Sequence, residues 1–283
     1  MKAISAHKVA TEAKLLLIAV PVLIWTLLPI YHMVLFALST KQEAFSGHLW
    51  PDHPTLHNFS VVFHEQNYFL NHFWGQFLNS VIIAAAVGAL TLFIAATAAF
   101  SISRLKARGG RLVLNCALFT YFIPAAFLAV PMYKAMGLYG LLNHQSALIL
   151  AMVTIAAPYA IWVLKQASDK LPFELDEAAR IDGASPLQLF RLVYLPLIAP
   201  SLVAVGAYAV LLAWNEYLYA FLLLSNDADV TLPVGLGHFL SADDSPWELL
   251  MTAGLLYSLP PAAMYYAFKR YMVSGLTAGA VKS

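Results

Sequence analysis

The chain has 283 residues, 61% of them hydrophobic and only 11% charged, with a net charge of +1. Soluble globular domains hold about 25% charged residues, so this chain cannot cover a water-facing surface and takes the lipid bilayer as its solvent. The near-neutral balance, without a basic tract or base-stacking module, excludes nucleic-acid binding.

A membrane helix needs about 20 predominantly apolar residues. Residues 1–14 carry Lys2, Lys8 and Lys14 and precede an uncharged run, 15–40. That run is longer than the apolar core of a secretion signal, about 7–15 residues, so it reads as a retained first span. Uncharged windows predict six spans, at 15–38, 76–100, 112–133, 146–164, 201–224 and 249–268, in an all-α polytopic protein with a single membrane domain. With the N-terminus in the cytoplasm, segments 1–14, 101–111, 165–200 and 269–283 lie inside. They then hold fourteen of the sixteen Lys and Arg residues, leaving only Lys41 and Lys134 outside. The positive-inside bias therefore predicts an inner-membrane protein with both termini in the cytoplasm.

The first outer segment, 39–75, is rich in Pro, Gly, His and aromatic residues and reads as an ordered cap. His53 and His57 lack a third ligand and Pro54 breaks the helix that would align them, so no metal is expected. Asn79 and Ser80 read as the cap of span two. Within that span Ala84 and Gly88, Ala85 and Ala89, and Ala95 and Ala99 recur at four-residue spacing, which lets neighbouring helices approach closely. The single cysteine, Cys116, has no disulfide partner and reads as a small core residue in span three.

Between spans four and five stands a charged, Gly-punctuated insert, PFELDEAARIDGASPLQLFRLVYLP at 172–196. Pro172 suits a first helical turn, and Glu174, Asp176 and Glu177 favour its positive end. Gly183 suits a left-handed C-terminal cap. Ser185, Pro186 and Gln188 have the spacing of a capping box opening a second helix, which runs to Leu195 before Pro196 re-enters the membrane. The insert is thus a helix–turn–helix with Ala178 and Ala179 as a flat patch. Such an element suits docking into a protein groove and equally suits lying on lipid headgroups.

The run Glu177-Ala178-Ala179, followed at fixed spacing by Asp182-Gly183, Val193 and Leu195-Pro196, resembles the EAA signature of ABC-importer permeases, with Val193 where that pattern usually has Ile. FLNSVIIAA (77–85), GLYGLLNHQSALIL (137–150), WNEYLYA (214–220) and GLTAGAVKS (275–283) extend the resemblance to the second permease of maltose-type carbohydrate importers. The resemblance implies that Glu177, Ala178, Ala179, Asp182, Gly183, Leu195 and Pro196 form the element that docks on a cytoplasmic ATPase. It also implies a heterodimer with a homologous permease, two ATPase subunits and a periplasmic solute-binding protein. The solute would be a sugar, or in a neighbouring reading a polyol or glycerol phosphate. The sequence contains no Gly-x4-Gly-Lys-Ser/Thr loop, so ATP and Mg belong on the partner ATPases, with no cofactor on this chain and no catalytic residues.

Span five places Trp214, Asn215, Glu216 and Tyr217 about two-thirds along its length. Glu216 is the only acid well inside a span, which disfavours an ion-coupled carrier, and no cluster of acid, His or Ser groups suggests an enzyme. Two readings remain for the four residues: a solute pathway, or an aromatic belt with an Asn–Glu bond across helices. The last outer segment, 225–248, has no Lys or Arg and takes turns at Pro233, Gly235 and Gly237. The resemblance implies that Gly235, Leu236 and Gly237 probe the cleft of the docked binding protein; a solvated acidic loop is the other reading. It also implies an ATPase contact at the C-terminal tail, through Gly275, Gly279 and Lys282.

Overall fold

The computed structural model describes residues 6–241 and 243–277, and every regular element among them is helical. In chain order these are α1 (Ala6–Leu38), α2 (His57–Phe63), α3 (Phe73–Ser103), α4 (Gly110–Phe119), α5 (Ala125–Leu138) and α6 (Gln145–Asp169). Then follow α7 (Glu174–Ile181), α8 (Pro186–Leu197), α9 (Ala199–Trp214), α10 (Leu218–Leu223), α11 (Leu232–Gly237) and α12 (Trp247–Thr277). The chain divides into two compact units, residues 1–71 with 236–258 and residues 72–235 with 259–283.

In the first unit, α1 is predominantly apolar over Leu15–Leu38, and none of the most apolar stretch there is buried. Trp25 is 81% exposed and Leu17 74%, an apolar surface that lipid or a partner protein covers. Its 24 apolar residues rise about 36 Å, enough for about 30 Å of hydrocarbon. The end of α1 is tied to α2 by Asn58, whose side-chain amide donates to the carbonyls of Ala37 (3.0 Å) and Ser39 (2.8 Å). These are acceptors that a helix C-terminus leaves open. Lys41 pairs with Asp244 at 2.5 Å, and Phe69 packs on Phe239 with ring centroids 4.7 Å apart. The expected ordered cap is therefore built from α2 and one tight turn at Tyr68–Leu70.

In the second unit, α3 packs along α6 and α9. Small residues make this approach possible: Ala84, Gly88, Ala95 and Ala99 face inward, whereas Ala85 and Ala89 remain exposed. A Cβ on Gly88 would lie 2.6 Å from Val210 Cγ2, and one on Gly206 would lie 2.9 Å from Leu92 Cδ1. The backbones meet because both positions lack a side chain.

Two expected straight spans are broken. Span three becomes α4 and its terminal turn, then α5, bent by 110°. Pro124 drives Ile123 to extended geometry (φ −93°, ψ 118°) and ends the first segment. Cys116 is exposed on α4, contrary to its reading as a core residue. Span five stops at Trp214 and resumes as α10, and α8 meets α9 at an 80° bend. By length and composition α1, α3 and α6 can each cross a bilayer, as can the two bent pairs α4–α5 and α8–α9. α12 has 31 residues, but Pro260, Pro261 and four tyrosines interrupt its apolar run.

Asn79 and Ser80 do not cap α3, which starts at Phe73 because Phe73 and Gln76 are themselves buried. Instead they tie α3 to the segment ahead of α11. The Gln76 amide donates to the Asp227 carbonyl (2.9 Å), and that of Asn79 to those of Ala228 (2.8 Å) and Val230 (3.1 Å). Ser80 Oγ accepts from the Leu232 N–H (2.9 Å). Gly235 closes this contact, since a Cβ there would sit 1.8 Å from Gln76 Oε1. Gly235→Ala should lower stability by about 2 kcal/mol, as overpacking does. Thermal unfolding in detergent should show a smaller loss when the same change is made in a Gln76→Ala background.

Candidate functional site

The charged insert folds as α7, a tight turn and α8. Its acids Glu174, Asp176 and Glu177 occupy the first turn of α7, where the helix dipole favours them. At the other end the Gly183 N–H donates to the Arg180 carbonyl (3.0 Å) and the Ala184 N–H to the Ala179 carbonyl (2.9 Å). This is a Schellman closure, and Gly183 supplies its left-handed residue at φ +83°. Ser185 opens α8 with the expected reciprocal box: its N–H donates to Gln188 Oε1 (2.7 Å), and its Oγ accepts from the Gln188 N–H (3.3 Å).

Two local expectations are corrected. Pro172 lies ahead of α7 rather than in its first turn, because Arg104 holds that stretch as a strap. The guanidinium donates to the carbonyls of Leu171 (3.2 Å) and Pro172 (3.4 Å) and lies 5.2 Å from the Phe173 ring centre. The second helix is also not regular up to Leu195. A wide π turn occupies Leu189–Tyr194, and there Phe190 and Tyr194 stack on each other and both meet Phe100 of α3.

The insert is fixed from beneath by an ion pair. Arg104 caps the C-terminus of α3 and is 4% exposed; Asp176 of α7 is 3% exposed. Their Nε and Oδ2 atoms stand 3.5 Å apart. The guanidinium is satisfied by two carbonyls and a ring face, while Nε and Oδ2 make no hydrogen bond at this distance and attract each other by charge alone. Tyr194 adds a second anchor, its hydroxyl 2.5 Å from that of Ser168 on α6. Ala179, Val193 and Leu195 complete the apolar seat around Leu164, Leu189 and Ile198.

Ala178 and Ala179 do not form one patch. Adjacent helical residues point about 100° apart, so Ala179 packs inward and Ala178 faces out. The outer face is instead Leu175, Ala178 and Ile181, with Ile181 86% exposed and Glu174, Glu177, Arg180 and Asp182 around it. Gly183 and Pro196 are exposed as well. The i, i+3, i+6 spacing of Leu175, Ala178 and Ile181 carries this face in the sequence. No such signal marks Arg104, which looks like one of several loop cations.

The structure brings Trp214, Asn215, Glu216 and Tyr217 together at the break in span five. Trp214 is buried at the end of α9 against Phe77 (centroids 5.8 Å apart), and Tyr217 is half-exposed and stacked on Phe221. Asn215 and Glu216 do not bond to each other: the Asn215 amide donates back to the Leu211 carbonyl (2.8 Å), and Glu216 Oε1 accepts the Tyr219 N–H (2.7 Å). Glu216 thereby caps α10. The Tyr219 hydroxyl in turn donates to the Ala125 carbonyl at the break in span three (2.8 Å). Gly235, Leu236 and Gly237 lie in and at the end of α11, with Gly235 buried, rather than in an open loop. Gly275 belongs to the backbone of α12, and Gly279 and Lys282 lie outside the described residues.

Residues 91–277 match the family of binding-protein-dependent transport system inner membrane components. The chain belongs to this family. It is 35% identical to the inner membrane ABC transporter permease protein YcjP of Escherichia coli, over 92% of each chain. It is 31% identical to the trehalose/maltose transport system permease protein MalG of Thermococcus litoralis, over 98% of this chain and 99% of the relative. It is 30% identical to the trehalose transport system permease protein SugB of Mycobacterium tuberculosis, over 91% and 93%. A chain of a solved bacterial ABC transporter involved in alginate import has the same fold, with a TM-score of 0.79 over 96% of this chain and 99% of that one at 20% identity. The permease is therefore an all-α, multi-pass membrane subunit of a transporter, and its family is not one of catalytic enzymes.

If Arg104 and Asp176 hold the insert, breaking the pair should destabilise far more than replacing it. Arg104→Ala should cost about 3–5 kcal/mol, and an Arg104→Met, Asp176→Leu double variant should recover much of the loss. Thermal unfolding of the detergent-solubilised variants checks this.

Proposed function

We propose that this permease carries a sugar or sugar-like solute inward, by alternating access driven by partner ATPases. One observation carries the reading: a charged helix–turn–helix, pinned from beneath to α3 and α6, presents an exposed Leu175–Ala178–Ile181 face framed by charge. Such a face suits a protein groove, and a pinned element transmits displacement that a loose loop would absorb. Closure of the ATPases on α7 would push α3 through Arg104 and α6 through Tyr194. ATP and Mg reside on those ATPases. The sugar class is supported by the names of the trehalose and trehalose/maltose relatives.

In the same reading the chain has six spans, α1, α3, α4–α5, α6, α9–α10 and α12, with both termini in the cytoplasm. It pairs with a homologous permease, two ATPases and a periplasmic binding protein, toward which the α11 region would face; the C-terminal tail would reach the ATPases. Discontinuous helices commonly frame solute sites in transporters. The breaks at Pro124 and at Asn215–Tyr217, joined through Tyr219, therefore form the candidate pathway.

Two experiments test this. In affinity purification from native membranes, the unaltered chain should bring an ATPase and a second permease. A Glu177→Lys, Ile181→Asp variant, altered only at exposed positions, should lose the ATPase and keep the permease. A stable native chain with no ATPase, and uptake that follows an ion gradient, would overturn the reading. For the pathway, Glu216→Gln keeps the acceptor for the Tyr219 N–H and removes only the charge, so uptake should show an altered apparent KM at equal expression. Unchanged uptake removes Glu216 from the pathway.

A further inference from the structure

A cavity of about 870 Å³ opens where three apolar helices end together: Ser103 of α3, the Gly109–Gly110 start of α4 and Asp169 of α6. Its charged rim holds Arg104, Lys106, Arg111 and Lys165 against one acid, Asp169, while Ile102, Leu112, Leu171 and Phe173 supply apolar wall.

The four cations are not equivalent. Arg104 is engaged by Asp176 and two carbonyls. Lys165 is engaged by Asp169, which also accepts a hydrogen bond from Ser103 at 2.9 Å. Lys106 rests over the Phe173 ring at 4.6 Å, and Arg111 is exposed. Among the described residues neither of these two pairs with a carboxylate within 4.0 Å.

Two cations without a direct carboxylate partner thus stand within about one turn of the apolar ends of three helices. Next to Arg111 come Leu112 and Val113, 68% and 69% exposed along α4. This pairs a seat for a phosphate with a track for an acyl chain. A free phosphate ion would use the first and have no use for the second. We propose that this cavity seats the phosphate of an anionic phospholipid headgroup, held by Lys106 and Arg111, with its chains lying along α4. The site is separate from solute transport and does not depend on which solute is carried.

The test is native mass spectrometry of the full chain in mild detergent, with phosphatidylglycerol or phosphatidylcholine of matched chains added. Phosphatidylglycerol should be retained in preference. Each cation near an anionic headgroup contributes about fivefold, so Lys106→Gln and Arg111→Gln should each cut retention by about that factor, and the double variant by more than about tenfold. Lys134→Gln, an exposed cation elsewhere, should leave retention unchanged. Millimolar inorganic phosphate should not displace the lipid. Equal retention of the two lipids overturns the proposal, as does retention by the double variant that matches the unaltered chain. Displacement by inorganic phosphate would make the site one for free phosphate and overturn the lipid assignment. Both side chains are exposed, and if one single variant fails to fold, the other decides.

Discussion

The placement of the α7–α8 insert depends on one buried ion pair, Arg104 with Asp176. Desolvating two charges is costly, and their attraction repays the cost only with good supporting geometry. At 3.5 Å the pair is long, and the support comes from around it: two carbonyls and the Phe173 ring for the guanidinium, and the first turn of α7 for the carboxylate. An apolar substitute could hold α7 against α3 as firmly. It would not hold it in one register, because carbonyls at Leu171 and Pro172 and a carboxylate at Asp176 must all meet the same five-donor group. The ion pair therefore fixes the orientation of the insert as well as its contact with α3.

Within the spans the governing constraint is different. Lipid offers no hydrogen bonds, so a helix that stops inside it must find partners for its open groups within the protein. Tyrosine hydroxyls tie the two broken spans to their neighbours, and one carboxylate meets an open N–H. Tyr219, next to the break in span five, donates to Ala125 beside the break in span three, and Tyr121 donates to the Ile155 carbonyl on α6 at 2.6 Å. Glu216 belongs to the same accounting. Its carboxylate takes an N–H at the start of α10 that would otherwise lack an acceptor. An acid placed there is tolerated because it satisfies backbone, and that role is compatible with facing a solute.

What could be read from the sequence follows the reach of each rule. The caps of the insert were legible because Gly183 and the Ser185–Gln188 box act over a few residues. The apolar stretches were legible because hydropathy is local too. The direction of Ala179, the tie of Asn79 and Ser80 to residues 228–232, and the burial of Gly235 depend on partners about 150 residues away or on a neighbouring helix, so no window contains them. Asn79-Ser80 near the start of a span looks like a cap, and only the early start of α3 shows otherwise. The helix breaks lay in between: Pro124 was visible, yet proline is common in membrane helices and does not by itself announce a 110° bend.

The loop between α3 and α4 shows how little a charge count says about the charges it counts. Arg104, Lys106, Arg108 and Arg111 contribute alike to the topological bias. In the fold they diverge. Arg104 is buried and committed to α7, Lys106 and Arg111 line an open cavity, and Arg108 is exposed outside that lining. The difference arises because α3 ends at Ser103, placing the next residue under the insert and those after it on the rim. Two positions along the chain therefore separate a buried structural cation, Arg104, from one on the rim, Lys106.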